Sequence, residues 1–252
     1  MRNNKNKDKD VAIITGGGSG IGFAIAKKLH SMKKNVVLIG RRKNILISAK
    51  KKLKTRCHII NHDISDRSLI PALVNDIEKK IGNINILINN AGIHLRKLAI
   101  DTTDQEWNDV IDTNLSSVFS LSRECSKKMI KRKRGNIVMI GSVTTTVGLP
   151  DVSAYSTTKT ALAGLTRSLA IELGKHSINV NCISPGFIKT AIFKRVKKKD
   201  PNRFKKIISR TPLNRFGEVE DIADVVGFLC SSQSRFITGT LIPVDGGFHS
   251  SF

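Results

Sequence analysis

Tyr155 is the only tyrosine of this 252-residue chain, and Lys159 stands four residues after it in Ser153-Ala154-Tyr155-Ser156-Thr157-Thr158-Lys159. Residues four apart share one helix face, with Cβ atoms roughly 5–6 Å apart. An ammonium there favours phenolate over phenol, so the spacing predicts a tyrosine pKa below its ordinary value of about 10. A phenol tuned toward neutrality can both donate and accept a proton at working pH. Thirteen residues before Tyr155, the apolar run Ile137-Val138-Met139-Ile140-Gly141 ends in Ser142, whose hydroxyl is placed to hold the same substrate oxygen. An isolated Tyr-x-x-x-Lys pair is most often a surface tyrosine beside a solvated lysine. The elements around it decide between the two readings.

The first of those elements is a phosphate cradle. Val11-Ala12-Ile13-Ile14-Thr15 reads as a buried strand, followed by Gly16-Gly17-Gly18-Ser19-Gly20-Ile21-Gly22 and a helical pattern from Phe23 to His30. Glycines let the backbone approach a pyrophosphate closely, and the helix start offers free N–H groups and the positive end of its dipole. The spacing Thr15-Gly16-x-x-x-Gly20-x-Gly22 has a wider first gap than the general G-x-G-x-x-G dinucleotide fingerprint.

Together these residues resemble the short-chain dehydrogenase/reductase family over nearly the whole chain, from about Val11 to Phe248. The resemblance makes Gly16, Gly18, Ser19, Gly20, Ile21 and Gly22 the cofactor loop, and Asp63, with Ile64, the adenine contact. Asn89-Asn90-Ala91-Gly92, after the strand Ile84 to Ile88, resembles the family's central-sheet motif, with Asn90, Ala91 and Gly92 against the cofactor. Asn114, Ser142, Tyr155 and Lys159 fall where its catalytic tetrad falls, and Pro185-Gly186-Phe187-Ile188-Lys189-Thr190 is similar to its nicotinamide-side loop. Pro185, Gly186, Ile188 and Thr190 are the cofactor contacts implied there. The resemblance assigns Tyr155 the proton transfer and Ser142 the substrate oxygen. Lys159 takes the tyrosine pKa and the nicotinamide ribose, and Asn114 a relay water.

Length and pattern agree with one α/β domain. Short apolar runs (Val36 to Ile39, Cys57 to Ile60) alternate with amphipathic stretches (Ile45 to Leu53, Leu69 to Ile81). That alternation predicts βαβ units and a Rossmann-type doubly wound parallel sheet of about seven strands, helices on both faces. The polar stretch 1–10 reads as a flexible tail, without the apolar centre of a signal peptide, and 11–252 as the single domain. No apolar run approaches the roughly 18 residues that span a bilayer. Cys57, Cys125, Cys182 and Cys230 lack the spacing of a metal site or a disulfide framework, so no metal and a reducing cytoplasm are expected.

The net charge of +23 can mark a nucleic-acid or acidic-membrane partner. Basic clusters stand at Lys50-Lys51-Lys52, at Lys131-Arg132-Lys133-Arg134 and from Lys194 to Lys199. The second follows a long helical stretch from Asp104 to Ile130, where cations suit the negative end of the helix dipole. With no nucleic-acid module and few aromatic residues for base stacking, a lysine-rich surface or an acidic protein partner is the better reading.

Cofactor choice follows from a missing acid. NAD enzymes of this architecture place Asp or Glu about 20 residues beyond the glycine loop to accept from the ribose 2′-OH. Val11 through His62 contains neither, and the second strand runs into Gly40-Arg41-Arg42. A guanidinium there suits a 2′-phosphate, which favours NADP(H) over NAD(H). Against this, many NADP-preferring relatives carry a base in the glycine loop where this chain has Ser19.

The expected reaction interconverts a ketone and a secondary alcohol. Thr113-Asn114-Leu115-Ser116-Ser117-Val118-Phe119 and Gly141-Ser142-Val143 resemble 3-oxoacyl-acyl-carrier-protein reductases, whose acidic carrier the basic surface would suit. Asn90 to Arg96 and Arg210 to Gly217 resemble sugar-acid dehydrogenases such as gluconate 5-dehydrogenase, with Arg96 or Lys189 toward a carboxylate. A non-catalytic nucleotide- or RNA-binding protein on the same fold has no use for Tyr155 and Lys159. By resemblance a homotetramer is expected, pairing the helices about Asp104–Met129 and Ser153–Gly174 across one interface and C-terminal segments across another.

Overall fold

The computed structural model describes residues 10–190 and 201–251. The stretch 1–9 and the basic cluster Lys194 to Lys199 lie outside the described residues. The strands are β1 (Val11–Thr15), β2 (Asn35–Gly40), β3 (Cys57–Asn61), β4 (Ile84–Asn89), β5 (Gly135–Ile140), β6 (Ile178–Pro185) and β7 (Leu241–Val244). They form one seven-stranded sheet in the order β3-β2-β1-β4-β5-β6-β7, every pairing parallel. Strands covered on both faces need apolar side chains on both, which is why β1, β2 and β4 read as continuous Val/Ile/Leu runs.

The helices are α1 (Gly20–Ser31), α2 (Lys43–Leu53), α3 (Ile70–Lys80), α4 (Asp104–Ile111), α5 (Ser117–Arg132), α6 (Ser153–Gly174), α7 (Pro201–Ser209) and α8 (Val219–Leu229). The pleat of β1 divides its side chains between two cores. Val11 and Ile13 meet residues of α3, α5 and α6, such as Ile77, Leu121 and Leu162. Ala12 and Ile14 meet residues of α1, α2 and α8, such as Ile25, Leu46 and Val226. This is the doubly wound fold that the alternating pattern predicts. Strand order reverses between β1 and β4, and the crevice beyond the carboxyl ends of those strands is where such sheets bind ligands.

Two features depart from the sequence pattern. The stretch Asp104 to Ile130 is two helices, α4 and α5, joined by a wide π-helical turn over Asp112–Ser116. That turn carries Asn114, whose side chain is committed to main-chain bonds described below; such bulges recur at functional sites. The second departure is Asp10, grouped with the tail by its polarity. Its carboxylate accepts from Asn85 Nδ2 (2.6 Å), Lys34 Nζ (2.6 Å) and Arg134 Nη2 (2.8 Å), tying the amino ends of β1, β2, β4 and β5 together. Burial works to raise the Asp10 carboxyl. The bonds from Lys34 and Asn85 outweigh it and hold the group below the usual carboxylate range.

Candidate active site

The glycine loop between β1 and α1 is built for close approach. Gly16 and Gly20 have φ of +65° and +53°, a region side chains rarely adopt. A Cβ on Gly22 would stand 2.4 Å from Gly16 O and 2.5 Å from Asn90 Nδ2, so no larger residue fits beneath the loop. Thr15 and Asn90 lock it to the end of β4. The Asn90 and Ala91 amides both donate to Thr15 Oγ1 at 3.0 Å, and Asn90 Nδ2 donates to Thr15 O at 2.9 Å. A cleft of about 820 Å³ opens above, lined by this loop, by Arg41 and Arg42 at one end and by Tyr155 at the other.

At the arginine end, Arg41 Nη1 lies 3.7 Å from Asp63 Oδ2, and both side chains are largely in solvent. Burial raises the Asp63 carboxyl. Hydrogen bonds from the Ser65 amide and hydroxyl, with the Arg41 charge, more than offset it and hold the group low. Arg42 forms no ion pair among the described residues. This end therefore presents guanidinium groups with only one weakly engaged acid.

At the tyrosine end, α6 begins at Ser153 and brings Tyr155 and Lys159 onto one face, as their spacing requires. Lys159 is buried and donates to Ile140 O at 2.7 Å, and burial lowers its pKa to about 8. Its ammonium lies 5.7 Å from the centre of the Tyr155 ring, over the face. Burial pushes the Tyr155 phenol above its ordinary value, and the Ser142 hydroxyl, hydrogen-bonded to it, pulls the other way. The sequence expectation of a phenol lowered by lysine is thus reversed here. Desolvation dominates, and it acts on the lysine as well. Ser142 lies two residues past β5 and is held by a bond from the Thr144 amide to its Oγ (3.2 Å) and from Ser184 Oγ to its carbonyl (2.5 Å).

Asn114 is fully buried, and its amide is consumed. Oδ1 accepts from the Ile93 amide (2.8 Å), while Nδ2 donates to Ile93 O (2.9 Å) and Thr158 Oγ1 (3.3 Å). The side chain clamps the loop after β4. That loop carries His94, whose ring lies 4.6 Å from that of Tyr155, and Arg96, which pairs with Asp151 at 3.4 Å. Lys189 likewise pairs with Glu218. Phe187, Phe204, Ile207 and Phe216 also line the cleft, with the Phe204 and Phe216 rings 4.9 Å apart.

A family model described as enoyl-(acyl carrier protein) reductase matches residues 16–249. The 3-oxoacyl-[acyl-carrier-protein] reductase FabG of Buchnera aphidicola (Baizongia pistaciae) is 38% identical over 244 residues, 96% of this chain and 98% of that relative. The Escherichia coli reductase of the same name is 35% identical over 244 residues, 97% and 99% of the two chains. The chain belongs to the short-chain dehydrogenase/reductase family. Among solved structures, a gluconate 5-dehydrogenase from Burkholderia cenocepacia in complex with NADP and tartrate superposes with a TM-score of 0.91 at 27% identity, covering 98% and 97% of the chains. An actinorhodin polyketide ketoreductase with NADPH gives 0.90 at 29%, covering 96% and 98%.

Most residues that the family resemblance singles out do meet in this short-chain dehydrogenase/reductase cleft. Gly16, Gly18, Ser19, Ile21 and Gly22 line one bank, and Asp63, Ile64, Asn90, Ala91 and Gly92 the floor and far end. Ile188 and Thr190 form the opposite bank. Gly20 faces Thr190 across it, with the nearest atom 3.8 Å from a Cβ built there. Pro185 and Gly186 do not line the cleft. Pro185 closes β6 beside Val244, and a Cβ on Gly186 would strike Asp245 at 2.6 Å. Ser142 and Lys159 stand behind Tyr155, nearly closed to solvent. The aromatic wall was not foreseen. Its residues come from three separate segments, and a short amphipathic helix such as α7 carries no sign of what it faces.

Proposed function

We propose that the chain is an NADPH-dependent 3-oxoacyl-acyl-carrier-protein reductase. The carrying observation is the pairing, in one cleft, of the Ser142–Tyr155–Lys159 cluster with an apolar aromatic wall on the substrate side. Reductases of this name from Buchnera aphidicola and Escherichia coli support it. The sugar-acid alternative needs free cations for a carboxylate. Both candidates, Arg96 and Lys189, already hold acids, and an aromatic wall suits an acyl chain better than a polyol. A binding protein without catalysis would carry the cost of burying the Lys159 ammonium beside Tyr155 with nothing in return.

The cradle fits a dinucleotide: glycines approach too closely for side chains, and the arginines suit a 2′-phosphate. Gly16 to Gly22 would hold the pyrophosphate, Arg41 and Arg42 the 2′-phosphate, and Lys159 the nicotinamide ribose. NADPH supplies the hydride that the carbonyl carbon receives. Ser142 orients the carbonyl oxygen, and Tyr155 donates its proton to that oxygen as the alcohol forms. Burial of Tyr155 favours the protonated phenol, the form that donates to the substrate oxygen. Asn114 enters as a positioning residue through Ile93. No group of three potential metal ligands occurs among the described residues.

The reading extends to a cytoplasmic homotetramer that meets an acidic carrier. Exposed Trp107 on α4 and Phe119 on α5 supply the apolar face that pairing of those helices would cover. The net charge of +23 suits the carrier. No described helix is long and apolar enough to cross a membrane. NADPH oxidation by the purified chain with a 3-oxoacyl carrier thioester and with a keto-sugar acid, side by side, tests the function. A higher kcat/KM on the keto-sugar acid would overturn it.

A further inference from the structure

We propose that His62 is a third reader of the 2′-phosphate, completing with Arg41 and Arg42 the group that separates NADPH from NADH. The assignment rests on the NADP(H) reading and adds a residue that reading does not use. His62 is the first residue past β3, and it lines the cleft together with Arg41, Arg42 and Asp63.

Its place follows from the register of the sheet. Gly40 and Asn61, the last residues of β2 and β3, are paired, so one step further along sets His62 beside Arg41. Neighbouring strands lie about 4.8 Å apart. The pairing holds past the strand ends. The His62 amide donates to Gly40 O at 3.1 Å, and Asn61 Nδ2 donates to Gly40 O at 3.0 Å and to Arg41 O at 2.8 Å. An imidazole and a guanidinium rooted that close together can converge on the oxygens of one phosphate.

The side chain itself calls for a ligand. His62 is part-buried, and its Nε2 is enclosed with no hydrogen-bond partner among the described residues. A covered polar atom left unpaired costs the free chain stability, and native folds seldom keep one without a use. With no acceptor against Nε2, the proton of a neutral ring belongs on Nδ1, the nitrogen left for the cleft. The neighbouring acid does not claim that donor. Asp63 Oδ1 accepts from the Ser65 amide (3.1 Å) and hydroxyl (2.9 Å), and Oδ2 faces Arg41. A 2′-phosphate brings three acceptor oxygens to this group of donors, where a 2′-hydroxyl brings one.

The test titrates the purified chain with adenosine 2′,5′-bisphosphate and with adenosine 5′-monophosphate, which differ only at the 2′ position, at one pH and one ionic strength. The readout is the ratio of their Kd values, in which general damage to the adenine pocket cancels. His62→Leu removes both nitrogens and keeps bulk at the enclosed edge. It should narrow the preference for the bisphosphate about tenfold, the low end for a hydrogen bond to a charged group. His62→Met gives the same readout should the leucine variant fail to fold. His62→Asn, whose amide N–H can stand where Nδ1 does, should keep most of the preference. Equal weakening of both fragments would make His62 a wall of the adenine pocket and overturn the assignment. So would an unchanged ratio, or a loss in His62→Asn as complete as in His62→Leu. A wild-type chain that binds both fragments equally would instead overturn the NADP(H) reading, and the assignment with it.

Discussion

Removing the two guanidinium groups beyond β2 should convert a NADPH-preferring enzyme into an indifferent one. A hydrogen bond to a charged group contributes roughly 1.5–3 kcal/mol, or about 10- to 150-fold in binding. Arg41 belongs at the low end of that range. Its side chain is 62% exposed, and Asp63 Oδ2 at 3.7 Å competes for it. Arg41→Ala should therefore weaken NADPH by about tenfold, and Arg41→Ala/Arg42→Ala by roughly 10- to 100-fold, with NADH little changed. Gly40→Asp goes further, supplying an acceptor for a ribose 2′-OH and repelling the phosphate. The site accepts it: a Cβ on Gly40 meets only Leu46 Cδ2, at 3.7 Å. Fluorescence titration with both nucleotides at low and high salt is the assay. Screening over about 8 Å at 0.15 M ionic strength should shrink the NADPH effect as salt rises. Equal weakening of both nucleotides would show that the arginines merely cover the adenine, and wild-type preference for NADH would refute the cofactor assignment outright.

Tyr155→Phe should abolish turnover while NADPH still binds, and Ser142→Ala should lose about 10²–10⁴-fold in kcat, the range of general acid–base catalysis; wild-type rates in Tyr155→Phe would sink the mechanism. Lys159 has a folded pKa of about 8 against 10.5 for an ordinary lysine, so between those values the unfolded chain binds more protons. Stability should rise with pH through that window, and below it the buried ammonium costs about 3 kcal/mol. Lys159→Met should thus raise Tm at pH 7 while destroying activity, with a gain of roughly 1–2 kcal/mol after Ile140 O loses its donor; a lower Tm would contradict the burial argument. Asp10 has a depressed carboxyl pKa, so its contribution is present above 3.8 and lost as pH falls through the folded value. Asp10→Asn should lower the urea midpoint by the equivalent of roughly 1–3 kcal/mol at pH 7, and by progressively less as the pH falls below 3.8. Phe119→Asp should dissociate the proposed tetramer in sedimentation velocity, and a wild-type monomer at micromolar concentration would exclude it.

The sequence by itself carried the fold, which is written in local periodicity, and the reaction class, through motifs that resemble those of the short-chain dehydrogenase/reductase family. Strands buried on two faces must be apolar throughout, so β1, β2 and β4 were visible as runs. A phosphate cradle needs glycines between a strand and a helix, and Tyr155 and Lys159 share a face wherever four residues separate them in a helix. The missing acid after β2 pointed to the cofactor for the same reason. Tertiary structure decided what depends on surroundings rather than spacing. The four-residue spacing predicted a lowered Tyr155, yet desolvation raises it, and desolvation is set by everything packed around α6. Spacing also gave one helix from Asp104, where the structure has a π-turn whose Asn114 bonds to Ile93. Arg96 and Lys189 looked like free cations until folding brought Asp151 and Glu218 to them across 55 and 29 residues. The aromatic wall of the cleft joins Phe187, Phe204 and Phe216 in the same way. Partners that distant leave no periodic trace in a chain, because only the folded packing selects which side chains meet.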